Sequence, residues 1–274
     1  MDTASVKERL DLKAVAILTG ICMLWGVNAV AIKISNVGID PIFSAGVRSV
    51  IAALCLAGWM KLKKMTLFPG KIFDGLIVGL LFGTEFGLLY SSLLYTTVSS
   101  AWILLYSTPF FHTLGAHYFT EGDRLSRNKV TGLVLAFSGV IILLSKHLGF
   151  PSPAQFLGDM LGLSSAVLWA ATTIYIKRRL VGKVSHHHTL FYQTAFSIPV
   201  LFLLSALFHE TPVRHIDILI LISVAYQGII VAFISYLLWF LLVHSYPISR
   251  LSAFTFLTPE PFPSMAPQAL SWPL

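Results

Sequence analysis

The chain has 274 residues, of which 56% are hydrophobic and only 11% charged, and its mean hydropathy is +0.79. A soluble domain carries about 25% charged residues, so this composition excludes a water-soluble fold and predicts an integral membrane protein. The net charge of +7 does not imply a nucleic-acid partner, because most Lys and Arg fall in short segments between apolar runs, the pattern of membrane topology. Cys22 and Cys55 both lie inside apolar runs and give neither a disulfide framework nor metal spacing. The apolar runs are continuous and helix-length rather than short and alternating, which argues against a β-barrel. The expected class is all-α and polytopic.

In chain order, residues 1–13 are polar and basic, and the first predicted helix covers 14–34. Its basic start and Ala29-Val30-Ala31 would suit a signal peptide, but a similar segment recurs inside the chain. The second predicted helix covers 41–60 and is followed by Lys61, Lys63, Lys64 and Lys71.

The third, Gly75–Thr97, is the most informative stretch. Gly75, Gly79, Gly83 and Gly87 recur every fourth residue, a smooth seam on which another helix can sit closely, expected to pack against the rest of the first half of the chain. Glu85 lies near the middle of the run, roughly opposite that seam, with Ser92 and Thr96 on its own face. A carboxylate at bilayer depth costs several kcal/mol unless it meets protein or water.

A short turn leads to a fourth helix over 100–120, and others follow over 130–145, 156–176, 189–208 and 216–243. Pro247 opens a last helix that reaches Pro259.

Orientation follows from the basic residues. Fourteen Lys and Arg lie in segments on the N-terminal side of the membrane, and three (Lys33, Lys146, Arg214) on the other. The N-terminus is therefore expected in the cytoplasm.

The chain also repeats itself. Residues 21–33 align with 165–177, matching Leu24/Leu168, Trp25/Trp169, Ile32/Ile176 and Lys33/Lys177. Residues 99–109 align with 249–259, matching Ser99/Ser249, Thr108/Thr258 and Pro109/Pro259. Equivalent helices stand five apart, and an odd step gives the halves opposite orientation. Inverted repeats suit alternating access around a site between them.

Several stretches, in order, resemble the EamA branch of the drug/metabolite transporter superfamily. They are LWGVNAVAIK, FSAGVRSVIAALCL, TEFGLLYSSLLYTTVSSAWILLYSTPFF, LWAATTIYIK, FYQ and SYLLWFLLVHSYPISRLSAFTFLTP. The resemblance covers residues 14–259. It implies a five-plus-five inverted-repeat helical bundle that carries amino acids or other small metabolites, often outward, across the cell (inner) membrane. The first repeat would be 14–145 and the second 156–259. The pattern departs at the end: 260–274 is proline-rich and no tenth helix follows, so that stretch reads as a truncation, a frame shift or a genuine nine-helix variant.

Candidate substrate-binding residues follow from polar and aromatic groups at bilayer depth. Glu85 reads as a proton-titrating or cation-pairing carboxylate, or as a structural contact to Arg48 or a hydroxyl. Arg48 could pair with Glu85 or with an anionic substrate, or snorkel or bond loop carbonyls instead. Trp25 and Asn28 share a face of the first helix, and Trp169 and Thr172 take the matching places in the second half. They suit either cavity walls or helix packing with Asn28 as interhelical glue, worth ~1 kcal/mol.

Trp102, Tyr106 and Pro109 form a stripe open to the same two readings. Ser92, Gln193 and Trp239, with Tyr192 and Tyr226, complete the set. Pro109 and Pro259 are expected hinges, since proline loosens a helix. His112 and His117 are expected near the interface, and Lys33 and Lys177 at helix ends.

No metal or cofactor is expected. His186–His188 are consecutive, without Cys or carboxylate beside them. The expected partners are the lipid bilayer, a small-molecule substrate and, compatibly, a second copy in a homodimer. Two other classes stay in view. An intramembrane enzyme would want a His-Glu-x-x-His pair or a Gly-x-Ser-x-Gly elbow, which the chain lacks. The other is a non-transporting membrane remnant.

Overall fold

A computed structural model describes residues 10–120, 123–144, 152–208 and 211–258. Among these the chain is helical, with one isolated antiparallel bridge, Ile39 to Val213.

Helix starts follow from local chemistry. α1 (Leu12–Gly38) begins where the Asp11 carboxylate accepts the Ala14 N–H at 2.9 Å, filling one of the donors a helix start leaves unmatched. α2 (Pro41–Leu62) opens on a proline, whose missing N–H costs nothing there. It stops at Lys64, which takes a left-handed φ of 54° while the Met65 N–H returns to the Met60 carbonyl. α3 spans Ile72–Tyr95.

The predicted fourth helix is two helices. α4 (Val98–Leu105) and α5 (Thr108–Phe119) are separated by a turn at Tyr106 and Ser107. The break falls just before Pro109. The Ser107 and Thr108 hydroxyls donate to the Leu104 and Leu105 carbonyls that the broken ladder frees. α6 is Arg127–Leu144. α7 (Pro153–Arg179) starts on a reciprocal capping box between Ser152 and Gln155. α8 is His186–Leu207.

The next rod is continuous but mixed. It runs from α9 (Ile218–Ala225) through a π-helical stretch, Tyr226–Ser235, into α10 (Tyr236–Ser245). α11 (Ile248–Ala253) tightens to a 3₁₀ turn, Phe254–Leu257. Residues 260–274 and Pro259 lie outside the described residues.

Six of these rods are long and apolar enough to cross a membrane: α1, α2, α3, α7, α8 and the α9–α10 rod. The chain is a multi-pass helical membrane bundle.

α3 forms its axis, packed most extensively on α7 and α8, with α2 also packed on α8. The glycine seam sets this arrangement. A Cβ added at Gly75, Gly83 or Gly87 would come within 2.6, 2.8 and 2.5 Å of Tyr192, Val200 and Leu204, and one at Gly79 would strike Phe196. Each glycine thus faces one residue of a matching four-residue series on α8, and the two helices run parallel and in register. Sequence reasoning places this seam against the first half of the chain. The structure places it against the second, because α8 offers a ridge of the same period.

Contacts between the two halves lace both ends of the bundle. At the end where α1 begins, Arg179 and Tyr175 of α7 reach Asp74 of α3 at 3.0 and 2.8 Å. At the same end, but within the second half, Lys177 donates to the Val243 and Tyr246 carbonyls at 2.6 and 2.9 Å, so it closes the end of α10 rather than only marking the end of its own helix. Asp123 accepts from the Ser249 amide at 3.0 Å, from the Ser249 hydroxyl, and from Lys129 at 2.7 Å. At the opposite end, Thr96 donates to Asp159 and Arg214 pairs with Asp40 at 2.6 Å.

Candidate functional site

Between these laced ends lies a small central cavity of about 20 Å³, room for about one water molecule. The first half of the chain contributes Trp25 from α1 with Phe82 and Glu85 from α3. The second contributes Trp169, Thr172 and Thr173 from α7, Gln193 from α8, and Tyr236, Trp239 and Phe240 from α10.

Trp25 is the centre of the aromatic wall. Its ring centroid stands 5.8 Å from Trp169, 5.9 Å from Tyr236 and 5.6 Å from Trp239. These are ordinary edge-to-face and tilted separations. The indole N–H donates to the Ser235 hydroxyl at 3.0 Å, and that hydroxyl donates in turn to the Val231 carbonyl. The hydrogen bond ties α1 to the end of the π-helical stretch. Thr172 and Thr173 donate to the Leu168 and Trp169 carbonyls of their own helix, which leaves their oxygens as acceptors toward the cavity.

Glu85 is 3% exposed and its Oε2 has no hydrogen-bond partner. It is the carboxylate among the cavity-lining residues. Behind it, the guanidinium of Arg48 stands 4.0 Å from the Phe86 ring centroid, 5.9 Å from Phe82 and 6.0 Å from Tyr236.

Of the residues singled out from sequence, Trp25, Glu85, Trp169, Thr172, Gln193 and Trp239 meet around this cavity. Others do not line it. Ser92 is buried and donates to the Leu89 carbonyl of its own helix. Asn28 lies elsewhere on α1 with an unmatched buried Oδ1. Tyr106, at the break before α5, donates to the Thr258 carbonyl at 3.2 Å. Pro109 sits just after that break. The side chain of Trp102 and all of Pro259 lie outside the described residues.

Tyr226 donates to the Leu24 carbonyl and Tyr192 to the Gly70 carbonyl, so both phenols tie elements together. His112, expected near the interface, is 1% exposed and stands edge-on to Trp169, ring centroids 6.0 Å apart. Its helix is interrupted, which draws it against α7.

Phe82, Thr173, Tyr236 and Phe240 line the cavity without having been singled out. Phe82 and Thr173 were within reach of periodicity, being three residues before Glu85 and four after Trp169. Tyr236 and Phe240 were not, since the π-helical stretch before them shifts the rotation of α10.

Residues 12–145 and 156–259 each match the model of the EamA-like transporter family. A probable amino-acid metabolite efflux pump of Salmonella typhimurium is 26% identical over 248 residues, covering 87% of this chain and 81% of the relative. A protein of the same description from Escherichia coli is 24% identical over 251 residues, covering 87% and 81%. An uncharacterized transporter of Archaeoglobus fulgidus is 31% identical over 188 residues, covering 66% and 62%. One solved crystal structure superposes with a TM-score of 0.75 at 21% identity, covering 90% of this chain and 84% of that one, so the fold is shared. The chain belongs to the EamA-like transporter family, and it is a membrane transporter rather than an enzyme.

Proposed function

We propose that this transporter is a secondary carrier that exports amino acids or other small metabolites by alternating access through its central cavity. The observation that carries the reading is the cavity itself. Residues of both halves of the chain converge on one carboxylate, Glu85, inside a wall of aromatic rings. Widened as the two halves move, such a site can hold an apolar side chain against the rings and a cationic group against the acid. Two relatives described as probable amino-acid metabolite efflux pumps support the substrate class.

In this reading the halves, 14–145 and 156–259, form inverted repeats that rock about the cavity. The ion pairs Asp74–Arg179 and Asp40–Arg214 belong to opposite ends of the bundle and part alternately. The seam between α3 and α8 stays closed and acts as the axle. The protein lies in the cell (inner) membrane with its N-terminus in the cytoplasm, as the distribution of basic residues supports.

Glu85 couples a proton to the substrate. A carboxylate in an apolar site can exchange a proton near neutrality, and the chain carries no Walker A pattern to supply ATP drive. The test is counterflow of labelled amino acids in proteoliposomes across a range of pH. Wild-type protein should show pH-dependent accumulation, and Glu85→Gln should insert normally yet lose that dependence. An unchanged pH profile in the variant overturns the proton role.

A further inference from the structure

Arg48 is among the largest fully buried side chains of the described residues, 1% exposed within α2, and none of its three guanidinium nitrogens has a hydrogen-bond partner. An arginine cannot shed its charge. Its contacts with the rings of Phe86, Phe82 and Tyr236 are cation–π contacts and supply none of the acceptors its N–H groups require. A buried ion is costly unless a partner compensates it.

Two other buried groups nearby are incomplete as well. The Oε2 of Glu85 and the hydroxyl of Tyr90 both lack partners. Phe86, against which the guanidinium lies, is the next residue to Glu85 in α3, and its ring stands 6.1 Å from that of Tyr90. Yet no ion pair among the described residues joins Arg48 to Glu85. The protein thus holds a guanidinium and a carboxyl group, each with unmatched polar atoms, with the carboxyl group on the cavity wall and the guanidinium behind two of its rings.

We propose that Arg48 is the carboxylate receptor of the transport site. The ligand it fits is a zwitterion: a carboxylate on the guanidinium fork, which matches it two bonds at a time, and an ammonium on Glu85. Phe82 and Tyr236 both line the cavity and both stand beside the guanidinium. A turn of either ring opens Arg48 to a bound molecule. This assignment rests on the carrier reading given above, and narrows its substrate to compounds that keep both charged groups.

A substrate-binding arginine differs from a structural one in a measurable way. With the site empty, its unmatched charge destabilises the protein. A structural arginine stabilises it.

The experiment uses the full chain in proteoliposomes and in detergent. Counterflow of each of the twenty common L-amino acids is measured, and the best is compared with its decarboxylated amine and its deaminated acid. Wild type should prefer the amino acid over the amine by about 100-fold or more, two steps of tenfold from the bonds the carboxylate adds. Arg48→Gln should bring that preference to within about tenfold, and its ligand-free melting temperature should equal or exceed that of wild type. Arg48→Lys, which keeps the charge without the fork, should fall between.

Counterflow in which wild type accepts the amine as well as the amino acid overturns the assignment and leaves the carrier reading standing. So does a preference that survives in Arg48→Gln. If Arg48→Gln melts well below wild type or does not fold, the arginine is structural and the assignment falls, unless Arg48→Lys is folded and has lost the preference. Absence of counterflow with every amino acid overturns the amino-acid part of the carrier reading, and this one with it.

Discussion

At the scale of single residues, the chemistry of this transporter depends on which charges are matched. Glu85 has an unpartnered oxygen facing the cavity, whereas Asp123 is fully occupied by Lys129 and Ser249. Burial alone would raise the pKa of Asp123. The hydrogen bonds from Lys129 and Ser249 and the lysine charge outweigh it and hold the carboxyl below the usual carboxylate range. The sign of the pH effect follows. A depressed folded-state value gives stability that is present above the ordinary value of about 3.9 and is lost as pH falls below it. Asp123→Asn should therefore lower stability at neutral pH by about 2 kcal/mol, the worth of hydrogen bonds to a charged group. The gap from wild type should narrow below about pH 4. Melting curves in detergent across pH check this, and a gap that is constant with pH contradicts it.

Glu85 and the tryptophans were legible in the sequence because a polar group in a 20-residue apolar run needs a reason, and because Trp25 and Trp169 recur at matching places. Arg48 was visible but ambiguous. Nothing in its spacing says whether it finds a partner, which depends on helices distant in sequence.

At the scale of elements, one helix pair decides the architecture. Adding a methyl group at a glycine ordinarily gains helix propensity, about 1 kcal/mol. Forcing extra volume into a packed contact costs about 1–3 kcal/mol. At Gly83 the added atom would sit 2.8 Å from Cβ of Val200, and that atom is fixed to the backbone of α8, so the clash wins. At Gly20 nothing lies within 4 Å, so propensity wins. Gly83→Ala should lower the melting temperature, and Gly20→Ala should leave it unchanged or raise it. The same sign at both sites would mean that the seam is not a tight interface.

The four-residue period of the seam was legible from sequence, and its partner was not. A smooth face says that something packs on it. Only the matching ridge of Tyr192, Phe196, Val200 and Leu204 identifies α8. Two other departures have local causes. The predicted fourth helix breaks before Pro109, where the ladder loses a donor. The predicted helix over 216–243 keeps its length but widens to a π-helix between Tyr226 and Ser235. Period-based reading cannot register that change, and it therefore misses the cavity face of α10.

At the scale of the whole molecule, helix-length apolar runs made the membrane bundle legible, and the ordered motifs identified the family. The position of the site needed the structure, because its walls come from α1, α3, α7, α8 and α10, which no local pattern brings together. Both ends of the bundle are tied by contacts between the chain's halves, so the cavity is enclosed between two sets of polar clasps. The central claim is that substrate crosses through this cavity. Thr172 is buried on its wall, and a tryptophan there would overfill the small space. Counterflow of a labelled amino acid into proteoliposomes tests the claim most directly, comparing wild type with Thr172→Trp at matched incorporation and matched melting temperature. The account predicts accumulation above the empty-liposome baseline for wild type and a loss of at least about tenfold for the filled variant. Equal accumulation by the two proteins, or none by wild type, would contradict it.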